Sequence, residues 1–108
     1  MIDIIEYLDA DGTSPFANWF KRLSATEALK VSTYITRLEH GNFSNLKSVG
    51  SGVSELKINW GPGYRVYIGR DGDTLLILLG GGTKKRQQHD IDKAKERWKN
   101  YKTIKNIK

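Results

Sequence analysis

Four side chains in this sequence are suited to chemistry on a phosphodiester: Lys57, Arg65, Tyr67 and Lys84. Arginine binds two phosphate oxygens through its planar guanidinium, whereas lysine acts on them as a point charge. If the substrate is RNA, its 2′-hydroxyl can attack the adjacent phosphate. The protein then has to stabilise the charge of the transition state, orient the reacting groups and move protons. This chemistry requires no metal, and we predict neither a metal site nor a cofactor.

A second set of polar residues is predicted to contact RNA: Lys47, Lys85, Arg86 and His89. Three consecutive cations, residues 84–86, follow the run Gly80-Gly81-Gly82. We expect this run to supply flexible backbone and free amides just before a helix, whose N-terminus also attracts anions. The run lacks the four-residue spacing between Gly and Gly-Lys that defines a nucleotide-binding P-loop.

Few residues are candidates for moving the protons. Tyr67 could act as a general base only with a lowered pKa; otherwise its ring fills a sheet face or stacks on a base. His89 lies near the cationic run and could also serve, whereas His40 is interpreted as a surface residue. For Glu55, a salt bridge to Lys57 or Arg65 is preferred to a role as base.

The stretch from Glu55 to Tyr67 is predicted to position these groups, as two strands joined at Gly61-Pro62-Gly63. Side chains alternate between the two faces of a strand. One face is therefore a core layer, and the other is a pleated surface with two cations and a phenol. The core set is Leu56, Ile58, Trp60, Tyr64, Val66 and Ile68; the opposite set is Glu55, Lys57, Asn59, Arg65 and Tyr67. A three-residue loop would pair Trp60 with Tyr64, Ile58 with Val66 and Lys57 with Tyr67.

The remaining elements follow from capping and turn signals. Residues 2–8 are predicted to form a strand, and Ser14-Pro15 to open a helix whose aromatic stripe belongs to the core. Ser24 and Glu27 form a capping box for a second helix, which ends near Gly41. We predict a loop over 41–52, a buried strand over 74–79 after an Asp-Gly turn, and a last helix from Gln87 or Gln88. The order predicts an α+β fold.

Length and composition predict a single domain over residues 1–108. The chain has no cysteine, no signal peptide pattern and no apolar run long enough for a membrane span, so we predict a cytoplasmic protein. Residues 1–40 hold four Lys and Arg against six Asp and Glu, whereas residues 41–108 hold fourteen against six. Such an uneven positive field indicates a polyanionic partner, nucleic acid first, or else only a solvated basic surface.

Several runs of the sequence, in this order, resemble the addiction-module killer proteins. These are HigB-like toxins within the RelE/ParE superfamily of bacterial type II toxin–antitoxin systems. The likeness covers nearly the whole chain, including the aromatic first helix around Trp19. The runs that carry it are 41–43, 46–50, 52–58, Gly61-Pro62-Gly63-Tyr64-Arg65-Val66-Tyr67, and 81–84 through Gln87 to Asp90-Ile91.

The resemblance implies a RelE-like toxin fold: an N-terminal strand and helical hairpin, an antiparallel sheet of three to four strands with a concave basic face, and a C-terminal helix. RelE-type members are ribosome-dependent endoribonucleases that cut mRNA with Lys and Arg residues. By position, Lys57 and Arg65 match the basic residues of the central strands, and Lys84 matches the Lys after Gly-Gly. The implied partner is a helix-turn-helix antitoxin, and the toxin would contact operator DNA only indirectly, through that antitoxin.

Two positions depart from the family pattern, which most often has Asp at Thr83 and Arg at Lys57. Lysine keeps the charge but loses the bidentate fork. RelE members also tend to have a catalytic tyrosine near the C-terminus, a role not assigned to Tyr101. Alternatives to a ribosome-linked ribonuclease remain: a ParE-like inhibitor of DNA gyrase without nuclease activity, or an inactive module that only binds its antitoxin.

Overall fold

The computed structural model describes residues 1–106, and it has the α+β fold that the sequence predicts. Its sheet has five strands, in the order β1-β5-β4-β3-β2, rather than three to four. Strands β2 to β5 are antiparallel, and β1 is added parallel to β5. The elements are β1 (Asp3–Glu6), α1 (Pro15–Phe20), α2 (Ala25–Glu39), β2 (Leu46–Gly50), β3 (Val53–Ile58), β4 (Tyr64–Asp71), β5 (Leu75–Thr83), a 3₁₀ turn (Lys84–Arg86) and α3 (Gln87–Asn106).

The helices cover both faces of the sheet, so the molecule has three layers and two cores. On one face, residues of α1 and α2 such as Phe16, Val31 and Leu38 pack against the strands. On the other face, α3 packs through Ile91, Ala94 and Trp98, which share one side of the helix. Within residues 1–106, no helix is both long and apolar enough to cross a membrane.

All three predicted helix starts are confirmed, and the first two show the predicted caps. The Ser14 hydroxyl accepts a hydrogen bond from the Ala17 N–H at 3.0 Å, with Pro15 at the first helical position. At the next helix, the Ser24 hydroxyl accepts from the Glu27 N–H at 3.2 Å, and the Glu27 carboxylate accepts from the Ser24 N–H at 2.7 Å. These bonds satisfy amides that have no partner within the helix, which is why the sequence signals are reliable here.

The loop predicted over residues 41–52 is wrong in part, because it contains the edge strand β2. The strand pairs with β3 across a tight turn at Gly50, Ser51 and Gly52, all with positive φ. Lys47 and Ser48 are exposed, so the strand lacks the apolar alternation that would reveal it in sequence. Pairing with β3 therefore decides its structure.

The predicted register of the hairpin is also wrong. Ile58 pairs with Tyr64, and Lys57 pairs with Arg65, so the connection spans Asn59 to Gly63 rather than three residues. Gly63 has a φ of 82° and its N–H donates to the Trp60 carbonyl at 3.1 Å, which closes a wider turn. The pairing differs from the expectation by two positions, and each side chain therefore keeps its predicted face.

A hydrogen bond from the Tyr64 hydroxyl to the Glu27 carboxylate ties α2 to β4 and makes stability depend on pH. The bond lowers the pKa of Glu27 below its ordinary 4.5 and raises the pKa of Tyr64 from 10.0 to about 12. A lowered carboxyl pKa stabilises the fold above pH 4.5, and this stability is lost as pH falls through the folded pKa. The raised tyrosine pKa adds stability below pH 10.0, which is lost as pH rises through about 12.

We therefore expect Glu27→Gln to lower the melting temperature at neutral pH and to lose that effect in acid. Glutamine can still form the capping box, so the change in melting temperature measures the effect of the Glu27 negative charge. Thermal melts between about pH 6 and about pH 3 should show the wild-type and variant curves converging. The exposed Glu96 on α3 provides the control, Glu96→Gln, for which the difference should stay small throughout. A constant Glu27→Gln difference across this range would contradict the linkage.

Candidate functional site

The face of the sheet that α3 covers carries two rows of the candidate side chains. In the first row, Lys47 pairs with Glu55, and Glu55 pairs with Tyr67 on the next strand. In the second row, Lys57 pairs with Arg65. Paired residues on one face lie within contact distance. The fold thus brings two cations and a phenol of the predicted face beside Lys47 from β2.

Glu55 is the centre of this arrangement, and one of its carboxylate oxygens, Oε1, receives three contacts. Gln87 at the start of α3 donates a hydrogen bond to it from Nε2 at 2.8 Å. The Tyr67 hydroxyl donates at 3.4 Å, and Nε of Arg65 lies 3.2 Å away. The salt bridge expected for Glu55 is confirmed, with Arg65 as the partner.

The expectation of an exposed pleated surface is wrong for most of this face. Arg65 is 6% exposed, Glu55 4% and Tyr67 1%, whereas Lys57 is exposed. Tyr67 belongs to the same core cluster as Trp98, because α3 lies across this face. Apolar packing by α3 therefore buries the phenol, whereas the arginine is buried in polar contact with Glu55 and Gly63. Lys57 is left as the accessible cation of the second row.

Arg65 is buried without a full set of partners. Its Nη1 donates to the Gly63 carbonyl at 3.4 Å. Its Nε lies 3.2 Å from the Glu55 carboxylate as an ion pair, but within residues 1–106 this N–H makes no well-aligned hydrogen bond. The ion pair with Glu55, rather than a full set of directed hydrogen bonds, therefore compensates the buried charge of Arg65.

The pKa of Tyr67 is shifted away from the direction that a general base requires. Burial raises it above its ordinary value, and the negative charges of Glu55 and Asp90 raise it further, more than Arg65 lowers it. Tyr67 therefore keeps its proton at neutral pH and acts here as a hydrogen-bond donor.

The glycine run is part of β5 and not a flexible loop, contrary to the expectation. Gly80 pairs with Tyr67, and Gly82 pairs with Arg65. A β-carbon at Gly81 would lie 2.3 Å from the Trp19 ring, and one at Gly82 would lie 2.1 Å from the Asp90 carboxylate. Glycine is needed here because side chains of α1 and α3 rest directly on the strand backbone.

Comparison with known proteins places the chain in a family. The model of the family described as Phage derived protein Gp49-like (DUF891) matches residues 18–99. An uncharacterized protein of Haemophilus influenzae is 44% identical over 84 residues, which is 77% of this chain and 85% of that protein. The chain belongs to the Gp49-like family. This family is a RelE-like toxin family of toxin–antitoxin systems, which implies an antitoxin as partner.

The other four predicted residues of this Gp49-like protein lie outside the two rows of side chains. Lys84, Lys85 and Arg86 form the exposed 3₁₀ turn that follows β5. His89 is exposed on α3 and lines a separate cleft between α1 and α3. The structure thus brings Lys47, Lys57, Arg65 and Tyr67 together and places the other four after the end of β5.

Two residues beside the candidate site belong to the runs that resemble the toxin family, but the sequence predicts no contact for them. The Gln87 amide donates to the buried Glu55, which lies 32 positions away in the chain. The Asp90 carboxylate lies over Gly82; burial raises the pKa of this carboxyl, and the positive charges of Arg86, His89 and Arg97 act in the opposite direction. Both contacts depend on how α3 packs on the sheet, which spacing and residue type do not reveal. Between residues 1 and 106, no three His, Cys, Asp or Glu side chains group as metal ligands would.

Proposed function

We propose that this Gp49-like protein is the toxin of a type II toxin–antitoxin system, of the HigB-like kind, and that it cleaves mRNA on the ribosome as a metal-independent endoribonuclease. The observation that supports it best is the accessible Lys57 paired with the buried Arg65. Lys47 on the same face and the cations 84–86 after β5 extend this positive surface. Such an arrangement suits a phosphodiester chain.

In the proposed reaction the 2′-hydroxyl oxygen forms a bond to the adjacent phosphorus, and the bond from phosphorus to the 5′-oxygen breaks. The proton lost by the 2′-hydroxyl is balanced by the proton that the 5′-oxygen gains, so no other reactant is consumed. Lys57 and Lys84, which are exposed, stabilise the added charge on the phosphate oxygens. Arg65 is buried beside Lys57 and adds positive charge to the same face. Tyr67 stays protonated and donates a hydrogen bond, and Lys47, Lys85, Arg86 and His89 hold the RNA.

The antitoxin is proposed to be a small helix-turn-helix protein that binds the toxin and contacts operator DNA itself. The toxin would then reach operator DNA only through that partner. Toxin and ribosome would meet in the cytoplasm.

Lys57→Ala tests the nuclease proposal without disturbing the core, because Lys57 is exposed. Primer extension on a reporter mRNA after brief induction should show cuts inside translated codons for the wild type. Loss of a group that stabilises the transition state costs on the order of 100-fold in rate, so the cuts should nearly vanish in the variant. Lys57→Arg should restore them, since the charge and a bidentate donor are both present.

The matched control is Lys99→Ala, which removes an exposed lysine of α3 and should leave the cuts unchanged. Equal cleavage by the wild type and Lys57→Ala would remove Lys57 from the mechanism. Growth arrest with intact message would overturn the nuclease proposal.

The burial of Arg65 and Tyr67 favours a second candidate, a ParE-like inhibitor of DNA gyrase. Such a protein needs no accessible nuclease site, and the exposed cations would serve only to bind. A supercoiling assay with purified gyrase distinguishes the two: inhibition together with intact mRNA supports the second candidate. Intact mRNA, active gyrase and normal growth would leave a module that binds only its antitoxin.

A further inference from the structure

A polar cleft of about 290 Å³ lies between α1 and α3, beside the glycine run of β5. Strand β1 pairs with β5 only as far as Leu78, so beyond that point this edge of β5 has no neighbouring strand among residues 1–106. The backbone of Gly80 and Gly81 forms the floor, and Trp19 and Arg22 form one wall. The cleft is therefore open to a ligand from solvent.

The opposite wall is a row of basic side chains on α3. His89, Lys93 and Arg97 are spaced four residues apart, so they lie on one side of the helix. Arg97 is anchored, because its Nη1 donates to the Leu79 carbonyl at 3.0 Å. Within residues 1–106, Arg22, His89 and Lys93 form no ion pair and no side-chain hydrogen bond. Arg22 and Lys93 thus face the cleft without such contacts, and His89 lies near the Asp90 carboxylate.

Two carboxylates, Asp9 and Asp90, also line the cleft and restrict what it can hold. Neither makes a side-chain hydrogen bond within residues 1–106. The carboxylates would weaken the binding of a simple anion, whereas a nucleotide offers a phosphate to the basic groups and N–H donors of its base to the carboxylates. The Trp19 ring beside the floor adds an aromatic surface, a feature that recurs where proteins bind single-stranded nucleic acid.

We propose that this α1–α3 cleft binds one nucleotide of single-stranded RNA next to the site of cleavage. Its phosphate contacts Arg22, Lys93 and Arg97, and its base lies toward Trp19. Asp90 connects the two regions, because it lies over Gly82, which pairs with Arg65. Nucleotide binding in this cleft would set the register of the RNA strand at the site of cleavage. That consequence rests on the proposed nuclease function, whereas the binding itself can be measured without cleavage.

The test uses a labelled RNA of about six nucleotides with every 2′-hydroxyl methylated, which the proposed reaction cannot cut. Fluorescence anisotropy should give a Kd at least about tenfold higher for the variant Arg22→Glu with Lys93→Glu than for the wild type. The slope of log Kd against log salt should also fall by about 0.7 for each phosphate that the variant no longer neutralises. Both replaced residues are exposed.

The control variant, Lys21→Glu with Lys99→Glu, makes the same change in net charge at exposed residues that do not line the cleft. We expect its Kd to stay within about twofold of the wild type. Equal weakening in both variants, or no binding of the oligonucleotide by the wild type, would overturn the assignment of the cleft.

Failure of the nuclease proposal gives a different result. In that case the wild type leaves mRNA intact but still binds the methylated RNA. The cleft variant still binds that RNA more weakly than the wild type does. The converse result is that the wild type cleaves mRNA while the cleft variant binds the methylated RNA as tightly as the wild type does. That result would overturn the assignment of the cleft and leave the nuclease proposal intact.

Discussion

Replacing Arg65 with alanine is expected to lower the free energy of unfolding by about 3–5 kcal/mol, because it leaves the buried Glu55 carboxylate without its cation. Both side chains are more than nine-tenths buried and lie 3.2 Å apart at their nearest atoms. Gln87 and Tyr67 would still donate to Glu55. Those neutral donors offset the buried charge less than a guanidinium does. Urea unfolding followed by circular dichroism measures the change.

A double-mutant cycle separates the ion pair from simple loss of packing. Arg65→Met with Glu55→Gln removes both charges at similar volume, and we expect it to be more stable than Arg65→Met alone. The coupling between the two sites should be about 0.5–3 kcal/mol. Strictly additive effects would show that the two charges do not stabilise each other in the folded protein.

This expected loss of stability decides how activity experiments on the site should be designed. A drop in cleavage by Arg65→Ala could come from unfolded protein as easily as from impaired chemistry. Lys57 is exposed and pairs with Arg65 across the strands, so we expect its replacement to test the proposed cleavage without unfolding the protein. For the same reason, Arg65 has to be tested together with a measurement of folding.

Replacing Gly69 with alanine is expected to destabilise the protein by about 3 kcal/mol or more, at the upper end of what overpacking costs. A β-carbon at Gly69 would lie 2.2 Å from Cε3 of Trp98, closer than any real contact. The indole cannot easily move away, because it stacks on Tyr101 with ring centres 5.3 Å apart. The expected result is a lower midpoint in urea with an unchanged m-value.

A smaller residue at position 98 should relieve this clash. Trp98→Leu alone is expected to cost about 2–4 kcal/mol because less apolar surface is buried. Combined with Gly69→Ala it should cost less than the two changes added together, since the methyl group then enters space that the ring occupied. Gly69 is not among the glycines with positive φ, so backbone strain does not contribute to the expected cost of Gly69→Ala. Additive costs at 69 and 98 would contradict the packing argument.

The features predicted correctly from the sequence depend on residues close together in the chain. Both helix N-termini are predictable because a cap and its amide lie three residues apart, as at Ser24 and Glu27. The two faces of β3 and β4 are predictable because alternation is a property of each strand, and a pairing error of two positions leaves it intact. The resemblance to RelE-like toxins agrees with the family match over residues 18–99.

The features missed from the sequence depend on contacts between distant elements. Pairing with β3 makes a strand of residues 46–50, and the addition of β1 in parallel makes the sheet five-stranded. The contact between Gln87 and Glu55 spans 32 positions, and the glycines of β5 are explained only by the side chains resting on them. The α1–α3 cleft is likewise assembled from four separate segments.

By itself the sequence determined the helices, the faces of the central strands and the basic character of the second half, since each follows from local spacing or residue type. Only the tertiary structure decided which of the candidate residues are accessible. The same alternation that puts Arg65 and Lys57 on one face leaves open what covers that face. Tyr67 is buried in the core cluster that α3 forms through Trp98, and Arg65 is buried beside Glu55, which Gln87 of α3 contacts. Lys57 stays in solvent, because a helix covers only the part of a sheet that its apolar side contacts.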